Sequence, residues 1–183
     1  MQENFVCHLE SNARRHAGKT ALVWENGSLT WSELDSLASG FAQYLSGNGA
    51  RAGARVAIVV PNRPEFVIAF LAVLKLGATA APLNPLLMSE ELAAYTEDLK
   101  PRFVVDQVKA GPGVWESPRH SSAPALILYT SGSTGRPKGA VFSHGALTFA
   151  NRSWGGPVMA LTPEDTILAA LPLAHSLGLN GSL

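Results

Sequence analysis

The spacing of apolar positions changes several times along the chain, and each change marks a new element. Phe5, Leu9, Ala13 and Ala17 recur every four residues, which predicts an amphipathic helix near the start. The stretch TALVWENGSLT then places apolar residues on either side of Asn26-Gly27, a pair that tolerates positive φ, so a hairpin is expected. Thr30 and Glu33 stand at capping-box spacing ahead of Leu34, Leu37, Ala38, Phe41 and Leu45, which share one helix face. Gly47-Asn48-Gly49 ends that helix.

From Arg55 onward the period alternates between strand and helix. RVAIVV is a β-branched run, and Asn62, Pro64 and Glu65 set up a helix start. PEFVIAFLAVLKLG is apolar nearly all round and should be buried on most sides. ATAAPL reads as a short strand, Ser89 as the cap of the helix SEELAAYTEDLK, and FVVD as another strand. This order predicts an α/β fold with a mostly parallel sheet and helices on both faces. Asp106 to Ala123 is rich in Gly, Pro and Ser and reads as a surface connection, after which ALILYT is expected as a central strand.

Composition agrees with a buried sheet. Only 15% of the 183 residues are charged, against roughly 25% in an average domain, while 46% are hydrophobic. The length is enough for one domain with a real core. Formal net charge is zero, so nothing favours nucleic acid or an acidic membrane as partner. Cys7 is the only cysteine, which excludes an internal disulfide and points to a reducing, cytoplasmic compartment. The start MQENFVCHLE lacks a cationic run followed by an apolar one, so no signal peptide is expected. The most membrane-like stretch, Phe66 to Leu83, carries Lys75, Gly77 and Pro82 within a span barely long enough for a bilayer. A buried helix turning into a buried strand explains it, and no transmembrane segment is expected.

The strand ALILYT runs into YTSGSTGRPKGAVFSH, Tyr129 to His144. A Walker loop would require a hydroxyl residue after the lysine and then a helix, but Lys138 is followed by Gly139 and the strand-like AVFS. The dinucleotide pattern also fails, because no glycine stands two positions before Gly132. The chemistry still suits an anion. Glycines let backbone N–H groups turn inward, Ser131, Ser133 and Thr134 add hydroxyls, and Lys138 adds a compact charge. A plain flexible hairpin loop accounts for the same composition equally well.

The order of residues resolves this. From Tyr129 to Gly139 the chain resembles the phosphate-loop signature of adenylate-forming (AMP-binding) enzymes: acyl-CoA synthetases, luciferases and the adenylation domains of peptide synthetases. That pattern runs aromatic, Thr or Ser, Ser, Gly, Ser or Thr, Thr, Gly, any residue, Pro, Lys, Gly, and all positions fit. SLTWSELDSLASGFAQYL, LKLGATAAPLNP, AVFSHGAL and LPLAHSLGL are similar to further family segments in the same order, so the resemblance covers almost the whole chain. The connection after Asp106 is shorter than most members have. Family members also continue past the position of Leu183 with an adenine-binding motif, a ribose-binding Asp and a mobile domain carrying a catalytic lysine. The chain is therefore expected to be an incomplete portion of the large N-terminal domain of an acyl-CoA synthetase.

The resemblance implies a division into residues 50–161, an α/β subdomain with the phosphate loop at 129–139, and residues 1–49 and 162–183, which begin a second sheet. It implies that Ser131, Gly132, Ser133, Thr134, Gly135 and Lys138 hold the ATP phosphates, and that Thr130 touches Mg²⁺. His175 would border the substrate carboxylate and the thioester path, a helix cap being its structural alternative. The acid partner would be a carboxylic acid, fatty by default, with coenzyme A as the acyl acceptor. A carrier-protein thiol or another acceptor, and a non-catalytic nucleotide-binding module, are the alternatives. No catalytic residue is expected within these residues, and the 183-residue piece by itself is expected to be inactive and to self-associate through exposed apolar surface. His144 is expected to open a helix, Cys7 and His8 to hold no metal, and Trp24, Trp31, Trp115 and Trp154 to serve packing.

Overall fold

The structure, a computed structural model, describes residues 4–109, 111–118, 120–130 and 137–182. Helix α1 (Val6–Arg15) begins one residue after Phe5 and stops short of Ala17. Strands β1 (Thr20–Trp24) and β2 (Gly27–Thr30) pair antiparallel as the expected hairpin, with Trp24 opposite Gly27. A side chain at Gly27 would meet the Trp24 ring at 2.8 Å, so the turn needs glycine for close approach. Helix α2 (Trp31–Gly47) starts on a complete capping box. Thr30 Oγ1 accepts from the Glu33 N–H, and Glu33 Oε2 accepts from the Thr30 N–H at 2.8 Å.

The main sheet has five strands in the order β5-β3-β4-β6-β7. Its parallel part is β3 (Arg55–Ile58), β4 (Thr79–Pro82), β5 (Phe103–Val105) and β6 (Pro124–Thr130). The fifth strand, β7 (Lys138–Ser143), runs antiparallel to β6. Between the parallel strands lie α3 (Pro64–Lys75) and α4 (Ser89–Leu99). Beyond β7 come α5 (His144–Ser153), a π-helical turn (Trp154–Val158) and α6 (Ser176–Ser182).

The alternation of side chains across the sheet sorts the core into two layers. Val56, Ile58, Ala80, Leu126 and Leu128 face α2 and α3, in one cluster with Phe41, Phe66 and Phe70. Ala57, Ala81 and Ile127 face the other way, where Leu99, Leu92 and Tyr95 of α4 cover them. Helix α3 is the centre of the first layer, and every residue from Phe66 to Lys75 is buried. At about 1.5–3 kcal/mol for each large apolar side chain, this burial far outweighs the modest helix propensity of its valines and phenylalanines.

Lys75 is 1% exposed on that buried helix, because two carboxylates meet it. Its Nζ donates to Asp35 Oδ1 at 2.6 Å and lies 3.6 Å from Glu10 Oε1, which in turn accepts from Ser117 Oγ at 2.9 Å. One ammonium thus links α1, α2, α3 and the stretch before β6.

Three local expectations are corrected. Residues 111–118 do not simply cross the surface. The Gly113 N–H donates to the Ser36 carbonyl and Ser36 Oγ donates back to the Gly113 carbonyl, Gln43 Nε2 donates to the Val114 carbonyl, and Trp115 Nε1 donates to the Lys75 carbonyl at 2.9 Å. Helix α4 is entered through Met88, whose N–H donates to Glu91 Oε2 at 3.0 Å, and Ser89 is its first helical residue rather than its cap. Asn62 does not cap α3 either. Arg63 holds that position without a side-chain bond, Pro64 presets the first turn, and Asn62 turns toward a distant loop.

Candidate active site

Strand β6 is the element that delivers the site. Its interior residues Ala125 to Leu128 are buried, whereas Tyr129 and Thr130 emerge toward solvent at its C-terminal end. This is where open α/β sheets present ligand sites, beyond the carboxyl ends of parallel strands. Five of the residues expected to hold phosphate, Ser131, Gly132, Ser133, Thr134 and Gly135, lie outside the described residues. The two positions flanking them are defined. Thr130 is the last residue of β6 and Lys138 the first of β7, and they stand opposite each other in the ladder. Both are exposed, so a hydroxyl and an ammonium face solvent at the mouth of the same hairpin. A side chain at Gly139 would meet Ile127 Cγ2 at 2.8 Å and the Tyr129 ring at 3.1 Å, so the hairpin closes tightly just behind Lys138. This donor set suits an anion, and its single hydroxyl suits one coordination position on a hard cation.

Next to that mouth lies a cavity of about 470 Å³. One wall is Tyr129 with Tyr95 of α4, their rings edge to face at 5.1 Å between centroids. Tyr129 Oη donates to Asp98 Oδ2 at 2.6 Å. Burial and this carboxylate push the Tyr129 hydroxyl well above the ordinary tyrosine range, so it remains a neutral donor. The opposite wall is the segment from Leu171 to Gly178, including Ala174 and His175. Leu83, Leu87 and Asn84 close the end nearer to β4. The lining is mostly apolar with a few polar groups, as small-molecule sites usually are.

His175 lies at the junction of the cavity wall and the last helix. It is the residue immediately before α6, its carbonyl accepts from the Leu179 N–H at 2.9 Å, and it is one of the residues lining the cavity. His144 opens α5 as expected and is 1% exposed, with Ser143 Oγ capping the helix by accepting from the Ala146 N–H. It takes no part in the cavity. Burial lowers its pKa to about 4. Among the described residues there is no cluster of His, Cys, Asp and Glu that could hold a metal ion, which includes Cys7 and His8. No described helix is long and apolar enough to cross a membrane.

Sequence reading did not single out Tyr95, Asp98 and Asn84. Tyr95 and Tyr129 are far apart in the chain and meet only because α4 packs on the strand face that carries Ile127. Periodicity within one element carries no sign of such a meeting.

The layers, strand order and site position define an α/β N-terminal domain of the adenylate-forming type. ATP-bound MatB from Rhodopseudomonas palustris superposes with a TM-score of 0.86 at 25% identity, over 96% of this chain and 41% of that one. The chain belongs to the AMP-binding enzyme family, whose profile matches residues 9–114 and 106–183. It is 34% identical to Surfactin synthase subunit 2 of Bacillus subtilis (strain 168), over 90% of this chain and 5% of that protein. It is 32% identical to Indoleacetate–CoA ligase of Aromatoleum aromaticum (strain DSM 19018 / LMG 30748 / EbN1), over 94% of this chain and 41% of that protein. The chain spans less than half the length of these relatives, which include both CoA ligases and peptide synthetases.

Proposed function

We propose that this chain is the N-terminal part of an AMP-forming acyl-CoA synthetase, a ligase that activates a carboxylic acid with ATP. A carboxylate oxygen attacks the α-phosphorus of ATP, pyrophosphate leaves, and the coenzyme A thiol then displaces AMP from the acyl-adenylate to give the thioester. The observation that supports this reading most is the adjacency of two unlike subsites. An apolar cavity walled by Tyr95, Tyr129 and His175 shares Tyr129 with the hairpin strand that ends at Thr130, opposite Lys138. An acid held in the first presents its carboxylate toward the second.

In this reading Ser131, Gly132, Ser133, Thr134, Gly135 and Lys138 hold the β- and γ-phosphates and neutralise the departing pyrophosphate. Thr130 offers its hydroxyl to Mg²⁺, which when bound would spread the phosphate charge further. His175 positions the carboxylate and does not act as a base. Residues 1–49, which contain the hairpin β1-β2, and residues 162–183 would begin a second sheet, with residues 50–161 as the α/β subdomain. The 183 residues alone form no acyl-adenylate, and the reaction takes place in the cytoplasm.

Acid-dependent ATP–pyrophosphate exchange by the complete gene product, run over straight-chain, aromatic and amino acids, tests the reading. Exchange with a carboxylic acid followed by thioester formation with coenzyme A is expected, and absence of exchange with every acid would overturn it. Lys138→Ala should lower the exchange rate by about 100-fold, the scale of losing one preorganised charge-stabilising donor. A second reading, a peptide-synthetase type adenylation domain, draws on the 34% identity to Surfactin synthase subunit 2. Exchange with an α-amino acid and no coenzyme A thioester would favour it.

A further inference from the structure

Asn62 lies four residues beyond β3, in the turn that leads into α3, and its side chain spans to the far end of the chain. Its Oδ1 accepts from the Leu173 N–H at 2.9 Å. Its Nδ2 donates to the Leu171 carbonyl at 2.7 Å and lies 3.4 Å from the Ala169 carbonyl. These partners fix the orientation of the amide, since an N–H requires the oxygen and a carbonyl requires the nitrogen. The segment so held has no regular structure of its own, because nothing between Val158 and Ser176 is helix or strand. Its apolar anchor is Leu173, 3% exposed, whereas Leu171 is 48% exposed. Ala174 and His175 follow immediately and line the cavity.

We infer that Asn62 is a positioning residue for the acid pocket: it clamps Leu171 and Leu173 and thereby sets where Ala174 and His175 stand in the cavity wall. The clamp ties an irregular segment to the turn that joins β3 to the buried helix α3. Asn62 does not line the cavity, so its effect reaches the substrate only through that wall. It is also distant in sequence from the hairpin of Thr130 and Lys138, and its bonds touch neither residue. Removing the clamp should therefore loosen the acid and leave the phosphates alone.

The inference rests on the reading that this cavity receives the carboxylic acid. The test is acid-dependent pyrophosphate exchange with the complete gene product, with KM measured separately for the acid and for ATP. Asn62→Ala should raise the acid KM about tenfold while the ATP KM stays within about twofold, since small misplacements of a binding wall are costly. Asn62→Asp keeps the acceptor for Leu173 but sets a carboxylate oxygen against the Leu171 carbonyl, so its acid KM should rise at least as far as that of Asn62→Ala. Equal acid KM in wild type and Asn62→Ala overturns the inference. So does a parallel rise in both KM values with a lowered melting temperature, which marks a merely structural role. If Asn62→Ala does not fold, Asn62→Asp decides by the same split. Failure of the functional reading is distinct, because wild type then shows no exchange with any acid.

Discussion

His144 shows how one side chain can impose a pH dependence on the whole fold. It is 1% exposed at the first position of α5, its Nδ1 has no hydrogen-bond partner among the described residues, and burial lowers its pKa to about 4. In the unfolded chain an ordinary histidine titrates near pH 6.5, so between these values the unfolded state binds more protons. Stability from this group is complete above about pH 6.5 and is lost as the pH falls toward about 4. Glu33 and Asp165 have carboxyls held below their usual range by Thr30 and Thr162, so they titrate outside the upper part of that window. Urea unfolding should therefore show a midpoint that falls from pH 7 to pH 5 in wild type. The slope should flatten in His144→Leu, which keeps the volume without a titrating group. An unchanged slope in the variant would exclude His144 as the source.

Helix α2 shows a conflict between local propensity and packing. Gly40 lies mid-helix, where alanine ordinarily stabilises by about 1 kcal/mol. Here a side chain at residue 40 would run into the backbone carbonyl of Gly111, because residues 111–114 lie against α2. Gly40→Ala should therefore destabilise rather than stabilise, read as a lower urea midpoint at unchanged slope. A higher midpoint would mean that the connection shifts freely. The same packing explains what could be read from the chain and what could not. The capping box at Thr30 and Glu33, the β-branched strands and the all-apolar α3 are encoded by neighbours in sequence, and they were legible. The stretch after Asp106 has turn-rich composition, so its docking through Trp115 and Ser117 onto Lys75 and Glu10 left no periodic trace. Asn62 likewise looks like a helix-start residue locally, while its partners lie more than a hundred residues away. For the candidate site, motif order gave expectations for Thr130, Lys138 and His175, whereas the Tyr95, Tyr129 and Asp98 wall exists only after α4 packs on the sheet.

At the scale of the molecule, the main sheet ends in β7, whose outer edge pairs with nothing among the described residues. Lys138 to Phe142 are all exposed, although the adjacent β6 is buried from Ala125 to Leu128. The end of the sheet is therefore bare on its faces as well as along its edge. Val141 and Phe142 are apolar there, and Phe149 of α5 and Leu168 are exposed elsewhere, Leu168 at 87%. An unpaired apolar edge offers a row of backbone donors and acceptors to any second strand, and Lys138 at one end is its single charge. Zero net charge removes the long-range repulsion that would keep copies apart. The 183-residue polypeptide should consequently self-associate, seen as a mass above the monomer by size-exclusion chromatography with light scattering. Placing a second charge at the middle of the edge with Val141→Lys should shift the population toward monomer, because edge-to-edge pairing would then oppose like charges across strands. If both forms run as monodisperse monomers, the bare edge does not drive association. If both associate equally, the contact lies on another apolar patch, and the exposed Leu168 becomes the next position to change.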